Sequence, residues 1–401
     1  MNAAGIIAEY NPFHTGHAYH IAETRQRLGA DTPIVCVMSG NWVQRGTCAL
    51  TDKWTRAGLA LRGGADLVLE LPLPWAISSA EGFARGGVEV LKATGIVDIL
   101  SFGSESGRLE DLCAVARTLD GEDYRAALQT ELDKGISFAA AREKAAAKIV
   151  GKAATLLRGP NDSLGVEYIR AAGQELTSMA IKRQGISHDS DCAKKDFASA
   201  SYVRERAEAG EWDAVARYTP RGTAESLQGA ELVRMERIER AMLARLRQMK
   251  GEDFALLPDS GRAEGLPDRL VKAASRAVSL EEFYALAKTK RYAHARIRRL
   301  ALWAFLGLAA ADRPEQPLYL RVLGFNERGR LLLKEMKRRA GLPVLTKSAH
   351  IKALDEEAQT LFALEARSTD LFGLCYDKIK PCGMEYTAGP VVLTGRVSIF
   401  P

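Results

Sequence analysis

The chain is 401 residues long, 47% hydrophobic and 26% charged, with a formal net charge of +6. That length is too great for one core and suits two or three domains, in a protein with ample apolar residues to bury. The longest nearly pure apolar run, "LALWAFLGLAAA" at residues 300–311, is too short to cross a bilayer, and six cysteines without a CxxC pair exclude a disulfide scaffold and a zinc ribbon.

The chain enters "AAGIIAEYN" directly, with no basic segment ahead of a long apolar stretch, so no signal peptide is expected and a cytoplasmic location fits the unpaired thiols. Residues 3–11, 32–41, 66–72 and 97–105 read as strands, and 17–30, 51–65 and 78–95 as the helices between them. Short apolar runs alternating with helices imply a parallel sheet covered on both faces, whose carboxyl edge holds a ligand. Residues 109–150 are helical in pattern, 159–172 a turn leading into a helix, and 176–185 a further strand. Beyond Ser199 amphipathic helices dominate, and "YLRVLGFNERG" at 319–329 reads as a turn between helices, punctuated by Asn326 and Gly329. The expected fold class is α/β: a Rossmann-like parallel sheet at residues 1–205 as the nucleotide-binding catalytic domain. A mostly helical, basic domain is expected at 206–401.

The strand-to-helix transition at residues 5–20, "GIIAEYNPFHTGHAYH", holds three of the six histidines. A helix N-terminus offers unpaired N–H groups and a positive dipole end, so a phosphate settles there, and His14 and His17 are placed to face it. Imidazoles there can stabilise charge on a phosphoryl group in transfer. Gly16 removes a side chain that would block a base or ribose, and Asn11 and Pro12 shape the turn. A structural role, or a metal held by His14, His17 and His20, competes with this reading; the carboxylates nearby are few, Glu9 and Glu23. No metal site is assigned.

H-T-G-H after a first strand resembles the HxGH signature of nucleotidyltransferases and class I aminoacyl-tRNA synthetases. The segments "VMSGNWVQRGTCALTDKWTRAGLAL", "GADLVLELP", "SSAEGFARGGV", "LSFGSE", "NDSLGVEYIRA", "IKRQG", "ASASYVRE" and "YLRVLGFNERGRLLLKEMK" resemble one branch of that superfamily, the bacterial tRNA(Met) cytidine acetate ligases, in consistent order to about residue 350. The resemblance implies an enzyme that activates acetate with ATP to acetyl-adenylate. It would then acetylate N4 of the wobble cytidine in elongator tRNA(Met), releasing AMP and diphosphate, with Mg²⁺ accompanying the ATP. By similarity the nucleotide cradle would be Ile7, Ala8, Glu9, Tyr10, Asn11, Pro12, Phe13, His14, Thr15, Gly16, His17, Ala18, Tyr19 and His20. Gly103, Asn161, Arg183 (or its neighbour Lys182), Ser199 and Ser201 would join it. Catalytic roles fall to His14 and His17 at the phosphates. Arg45 is added on chemical grounds, since a guanidinium matches the fork of a carboxylate. Lys53 and Arg56 are expected to solvate a helix that Asp52 caps. Glu70 and Glu81 are weighed for Mg²⁺ against ordinary strand-end and helix-face roles.

Between residues 285 and 352 sixteen Lys/Arg stand against four Asp/Glu, a net of +12 in a chain whose remainder is acidic. Such a block points to a polyanionic partner. Lys290, Arg291, Arg296, Arg298, Arg299, Arg328, Arg330 and Lys334 are the expected tRNA contacts, with acetate and ATP as the other partners. Neither a membrane nor a stable protein partner is expected. A small-molecule adenylyl- or cytidylyltransferase using the same HxGH site is the competing reading, but it leaves the basic half without a task. A non-catalytic RNA-binding relic is the third.

Overall fold

The computed structural model describes residues 3–184, 193–194, 197–261, 265–289 and 292–394. Five strands, β1 (Ala3–Ala8), β2 (Ile34–Ser39), β3 (Leu67–Leu71), β4 (Val97–Ser104) and β5 (Thr177–Lys182), pair in parallel in the order β3-β2-β1-β4-β5. The order reverses at β1, so β1 and β4 diverge at their carboxyl ends and leave the crevice where such sheets bind ligands. β2 and β3 are apolar almost throughout because both faces are covered. One face packs Phe83, Val88 and Leu91 with Leu112, Val115 and Val166. The other packs Ile21 of α1 (Thr15–Leu28) with Ala57 and Leu61 of α2 (Lys53–Arg62) and Val203.

The described helices between Glu239 and Leu306 form the expected helical block around Leu246, Phe254, Phe283 and Trp303. The apolar run starting at Leu300 lies in the buried His294–Leu306 helix, which stops at Gly307 in a left-handed turn (φ 67°). Two indoles fasten the block and its neighbours to the sheet. Trp303 Nε1 donates to the Ile77 carbonyl (3.0 Å), and Trp42 Nε1 to that of Ser368 (3.1 Å). Among the described residues no helix is long and apolar enough to cross a membrane.

The reading of residues 319–329 as a turn between helices is corrected. Leu320–Phe325 is a strand, β6, antiparallel to β3, and it is joined in parallel by β7 (Val344–Leu345) and β8 (Val391–Val392). Asn326 caps the Glu327–Arg339 helix through its side chain (Gly329 N to Oδ1, 2.8 Å). Gly329 lies in the first turn, where a Cβ would collide with the Asp66 carbonyl. The part after residue 206 is therefore mostly helical, as expected, but beyond about residue 308 its helices are joined by short strands that return to widen the first sheet. One short apolar strand between basic helices has too few residues to display its period.

The return is locked by buried charge. Lys53 Nζ lies 2.7 Å from Glu70 and 2.8 Å from Glu385, and Arg321 lies 3.2 Å from Glu385. Thr369 Oγ1 donates to Glu385 (2.9 Å). The Tyr319 hydroxyl (2.6 Å) and Leu73 N–H (3.0 Å) donate to Glu365. All these carboxylates and cations are buried. Asp52 does cap α2 (Thr55 N to Oδ1, 2.8 Å), but Lys53 and Arg56 are the opposite of solvated, at 1% and 0% exposure. Glu70 is thereby committed to Lys53, and Glu81, 71% exposed, leans toward Arg170. Burial works against the Lys53 charge, yet Glu385 and Glu70 outweigh it and hold the ammonium above its ordinary value. Burial, then the charge of Glu70, pushes Glu365 up to about 8.

For Glu365 the unfolded chain, at the ordinary 4.5, loses its proton first as pH rises, so this site's contribution to stability falls between pH 4.5 and about 8. Glu365→Gln removes that titration. Urea denaturation from about pH 5 to about pH 8 is expected to show a shallower loss of stability in the variant than in the wild type; parallel slopes would contradict the assignment.

Candidate active site

At the carboxyl end of β1 the chain turns through Tyr10, whose φ of 46° is rare for a residue with a side chain. Its buried ring packs against Phe13 and His17 (centroids 4.8 Å apart in each case) and holds the turn. α1 then begins with a reciprocal cap. His14 Nδ1 accepts the Gly16 N–H (3.0 Å), and His17 Nδ1 accepts the His14 N–H (3.2 Å). With both Nδ1 atoms accepting, a neutral ring in either position carries its proton on Nε2, away from the backbone. The rings stack at 3.8 Å. This arrangement itself requires Gly16: a Cβ there would lie 2.8 Å from His14 Cε1.

This end of β1 opens into a cavity of about 490 Å³. Of the expected cradle, Ile7, Ala8, Glu9, Tyr10, Asn11, His14, Gly16, His17, Tyr19 and His20 line it, as do Gly103, Asn161, Arg183, Ser199, Ser201 and Arg45. Pro12, Phe13, Thr15, Ala18 and Lys182 do not. Phe13 is buried against Gly63, Ala18 joins the core beneath α1, and the Thr15 N–H is held by the Tyr218 carbonyl (2.9 Å). The Lys182 side chain covers Gly107 instead, which decides between Lys182 and Arg183 in favour of the arginine as the cavity residue.

The walls are tied together across the fold. Glu105 accepts the Asn161 and Asp162 N–H groups (2.9 and 2.6 Å) and the Asn161 side-chain amide (2.6 Å), so the β4 turn caps the Pro160–Ala172 helix. Arg183 donates to Asn161 Oδ1 (3.3 Å). His20 bonds Ser101 through Nε2 (2.9 Å), and burial, then Arg183, lowers its pKa to about 3, so it stays neutral. A Cβ on Gly103 would meet only Arg183, at an ordinary 3.4 Å. The two serines divide their roles. Ser199 caps the Ala200–Glu208 helix (Tyr202 N to Oγ, 3.1 Å), whereas Ser201 Oγ receives Arg204 Nη2 (3.0 Å). Arg204 also donates to the Asn11 carbonyl (2.8 Å), a link the sequence did not disclose.

Arg45, Arg183, Arg204 and Arg299 line the cavity against the single carboxylate of Glu9 among its described walls, a balance that favours a polyanion. Arg299 reaches it from the helical block, because Gly46 of the turn after β2 lies against the Arg298–Arg299 backbone. Phe83, Phe102, Leu164 and Tyr168 give it an apolar side that sequence reasoning did not identify. Burial, helped by Glu9, raises Tyr168 far enough to keep its hydroxyl protonated.

The basic segment does not form one surface. Arg296 lies over Tyr292 and Arg298 over Tyr284, beside the cavity helix, with Arg298 3.6 Å from Glu281. Arg328, Arg330 and Lys334 belong to the Glu327–Arg339 helix at the opposite, amino-terminal edge of the sheet. There Asn326 bonds Asp66 ahead of β3, Arg328 pairs with Asp31 (3.1 Å) and Gly341 bonds Ala93 ahead of β4. Lys290 and Arg291 lie outside the described residues. No group of three or more His, Cys, Asp or Glu side chains among the described residues is arranged to hold a metal.

Residues 1–385 match the family described as HIGH Nucleotidyl Transferase. The sequence is 39% identical over 390 residues to the tRNA(Met) cytidine acetate ligase of Caldanaerobacter subterraneus subsp. tengcongensis, covering 94% of this chain and 96% of that protein. To the tRNA(Met) cytidine acetate ligase of Acetivibrio thermocellus it is 35% identical over 421 residues, covering 98% and 100%. The fold superposes on Thermotoga maritima TmcAL in its apo form with a TM-score of 0.93 at 33% identity, over 98% of this chain and 100% of that one. It superposes with a TM-score of 0.90 on the same protein bound with alpha-thio ATP.

Gly16→Ala is expected to displace the His14 ring and open the cap. Loss of one phosphate-facing donor should weaken ATP binding roughly tenfold or more by calorimetry, in a variant whose melting temperature changes little; unchanged affinity would show that the ring pair does not serve the nucleotide.

Proposed function

The chain belongs to the HIGH nucleotidyl transferase family, in its tRNA(Met) cytidine acetate ligase branch, and from that premise we propose that it is an ATP-dependent tRNA-modifying ligase. It activates acetate as acetyl-adenylate and acetylates N4 of the wobble cytidine of elongator tRNA(Met), releasing AMP and diphosphate. The observation that carries this reading is that Arg299, from the basic helical block, lines the same cavity as the His14–His17 cap. That gives the second half of the chain a task beside the nucleotide, which a small-molecule nucleotidyltransferase would not require.

Acetate is an unreactive acyl donor, and joining its carboxylate to the α-phosphate while diphosphate departs turns it into a mixed anhydride with a good leaving group. The demand on the protein is alignment and charge stabilisation rather than a covalent intermediate. ATP lies across the β1 crevice. Its adenosine faces Gly103, Asn161 and Arg183, and its phosphates face the N-terminus of α1. The Nε2 donors of His14 and His17, with Ser201 and Arg204, meet the negative charge that develops on the phosphoryl oxygens. Arg45 receives the acetate carboxylate. Mg²⁺, where present, travels chiefly on the phosphates and water, as it does where protein carboxylates are few. Arg296, Arg298 and Arg299 meet the anticodon arm of the tRNA, whose wobble base must leave its stack to enter.

Incubation with ATP, Mg²⁺, labelled acetate and unmodified elongator tRNA(Met), followed by digestion, should place the label in N4-acetylcytidine. His17→Ala should abolish both that product and acetate-dependent ATP–diphosphate exchange. Absence of the labelled nucleoside and of exchange in the wild type would refute the reading. Charge reversal at Arg299 should also lower the salt dependence of tRNA binding by about one unit of slope. Reversal at Lys334, on the far edge, should lower it less. Equal effects would place the tRNA differently.

A further inference from the structure

ATP, with its three phosphates, accounts for the arginines of the cavity but not for Glu9. A carboxylate placed beside a polyphosphate opposes it, so its presence in the wall calls for a different partner. Glu9 follows the last residue of β1, and the sheet order puts β4 and β5 on one side of that strand and β2 on the other. The adenosine contacts Gly103, Asn161 and Arg183 lie on the β4–β5 side. Glu9 is tied to the other side: its Oε1 accepts the backbone N–H of Gln44, in the turn that follows β2, at 2.7 Å. Among the described residues no hydrogen bond reaches Oε2 of Glu9. The Gln44 side chain lines the same cavity, and its Nε2 is buried without a hydrogen-bond partner. A buried donor left unmet is destabilising, and an incoming acceptor would relieve it. Phe83 and Tyr168 line the same cavity and supply aromatic surface of the kind on which a base stacks.

A carboxylate oxygen and an amide N–H on neighbouring residues are complementary to one pyrimidine edge. Cytosine offers an N4 amino donor beside the N3 and O2 acceptors, whereas uracil offers an acceptor at the position of N4 and a donor at N3. Resting on the ligase reading above, we propose that Glu9 and Gln44 form the acceptor-base subsite, Glu9 binding the cytosine N4 amine and taking its proton during acyl transfer. In that step N4 attacks the acyl carbon of acetyl-adenylate and the new C–N bond forms. The bond from that carbon to the bridging oxygen breaks, and AMP leaves with the electron pair. One of the two N4 protons passes to the Glu9 carboxylate, and the amide nitrogen keeps the other. Gln44 donates to N3 or O2 and fixes the ring, and the Gln44 N–H holds the carboxylate in line.

The test compares Glu9→Gln and Gln44→Met with the wild type in two readouts. Single-turnover acetyl transfer to tRNA, measured against acetate-dependent ATP–diphosphate exchange in the same preparations, separates transfer from activation. Affinity for tRNA carrying cytidine or uridine at the wobble position reports recognition of the base. Glu9→Gln should lower transfer about 100-fold more than it lowers exchange, as loss of a proton acceptor does. The cytidine preference, about tenfold or more in the wild type, should fall towards one in both variants. Exchange and transfer falling together in Glu9→Gln, or exchange returning at high Mg²⁺, would make Glu9 a group of the activation step and overturn the proposal. So would a full cytidine preference in Gln44→Met, which also decides the matter if Glu9→Gln fails to fold. Wild-type protein that acetylates no cytidine would sink the ligase reading itself; wild-type acetylation with an undiminished Glu9→Gln would sink only the subsite.

Discussion

The buried guanidinium of Arg56 is the constraint on which the site depends. Its Nη1 donates to the Glu9 carbonyl (2.6 Å), Nη2 to the carbonyls of Ser39 (3.1 Å) and Gly40, and Nε to that of Thr51 (3.1 Å). These carbonyls are the loose ends of β1, of β2 and of the segment entering α2, groups that a strand terminus would otherwise present to water. Burial lowers the Arg56 pKa to about 10, which still leaves it charged at neutral pH. One charge therefore fixes the height of the Glu9 turn relative to the Gln44 turn. Everything proposed to happen between ATP and an acceptor base takes place across that gap. An apolar side chain of similar volume would fill the space, but it would leave those carbonyls without a donor.

The division of labour follows from where charge is allowed to lie. Cationic side chains reach the cavity from four separate places: the turn after β2 (Arg45), the residue after β5 (Arg183), the helix after Ser199 (Arg204) and the helical block (Arg299). No single local motif could assemble them. The far edge of the sheet carries a second cationic surface on the Glu327–Arg339 helix, whose exposed lysines and arginines are close in sequence to those of the cavity helix and remote from them in space.

The first five strands were legible in the sequence because each is a short, largely apolar run set between helical or turn segments. The cavity at the end of β1 was legible because H-T-G-H marks a helix start with unusual side chains. Tertiary pairings were not legible. Lys53 and Arg56 stand in "TDKWTRA" like any charged pair on a helix, and only partners as distant as Glu385 reveal them as buried. Pro12, Phe13 and Ala18 alternate with cavity residues, so a run of fourteen could not tell the residues facing the cavity from those facing the core. β6 escaped notice because "LRVLGF" is one short run whose only near neighbour, β7, is two residues long, and β3 lies some 250 residues earlier. The two parts of the basic block are adjacent in sequence, and only the fold shows that they lie at opposite ends of the sheet strands.

The long reach of the Lys53 ion pair has a consequence for the order in which the molecule is made. Glu385, 332 residues downstream, supplies one of the two anions around Lys53, and β6 and β8, which widen the sheet beyond β3, also come from the last quarter of the chain. A ribosome that has delivered the five parallel strands has thus delivered a sheet whose outer edge is open and whose buried lysine has half its counter-charge. The cavity is drawn from distant parts of the sequence as well, since Arg299 is not yet present when the His14–His17 cap can form. Closure of the edge, neutralisation of the core charge and completion of the cavity wall are therefore late events in biosynthesis. Until β6 is made, the nascent amino-terminal half presents the edge of β3 unpaired.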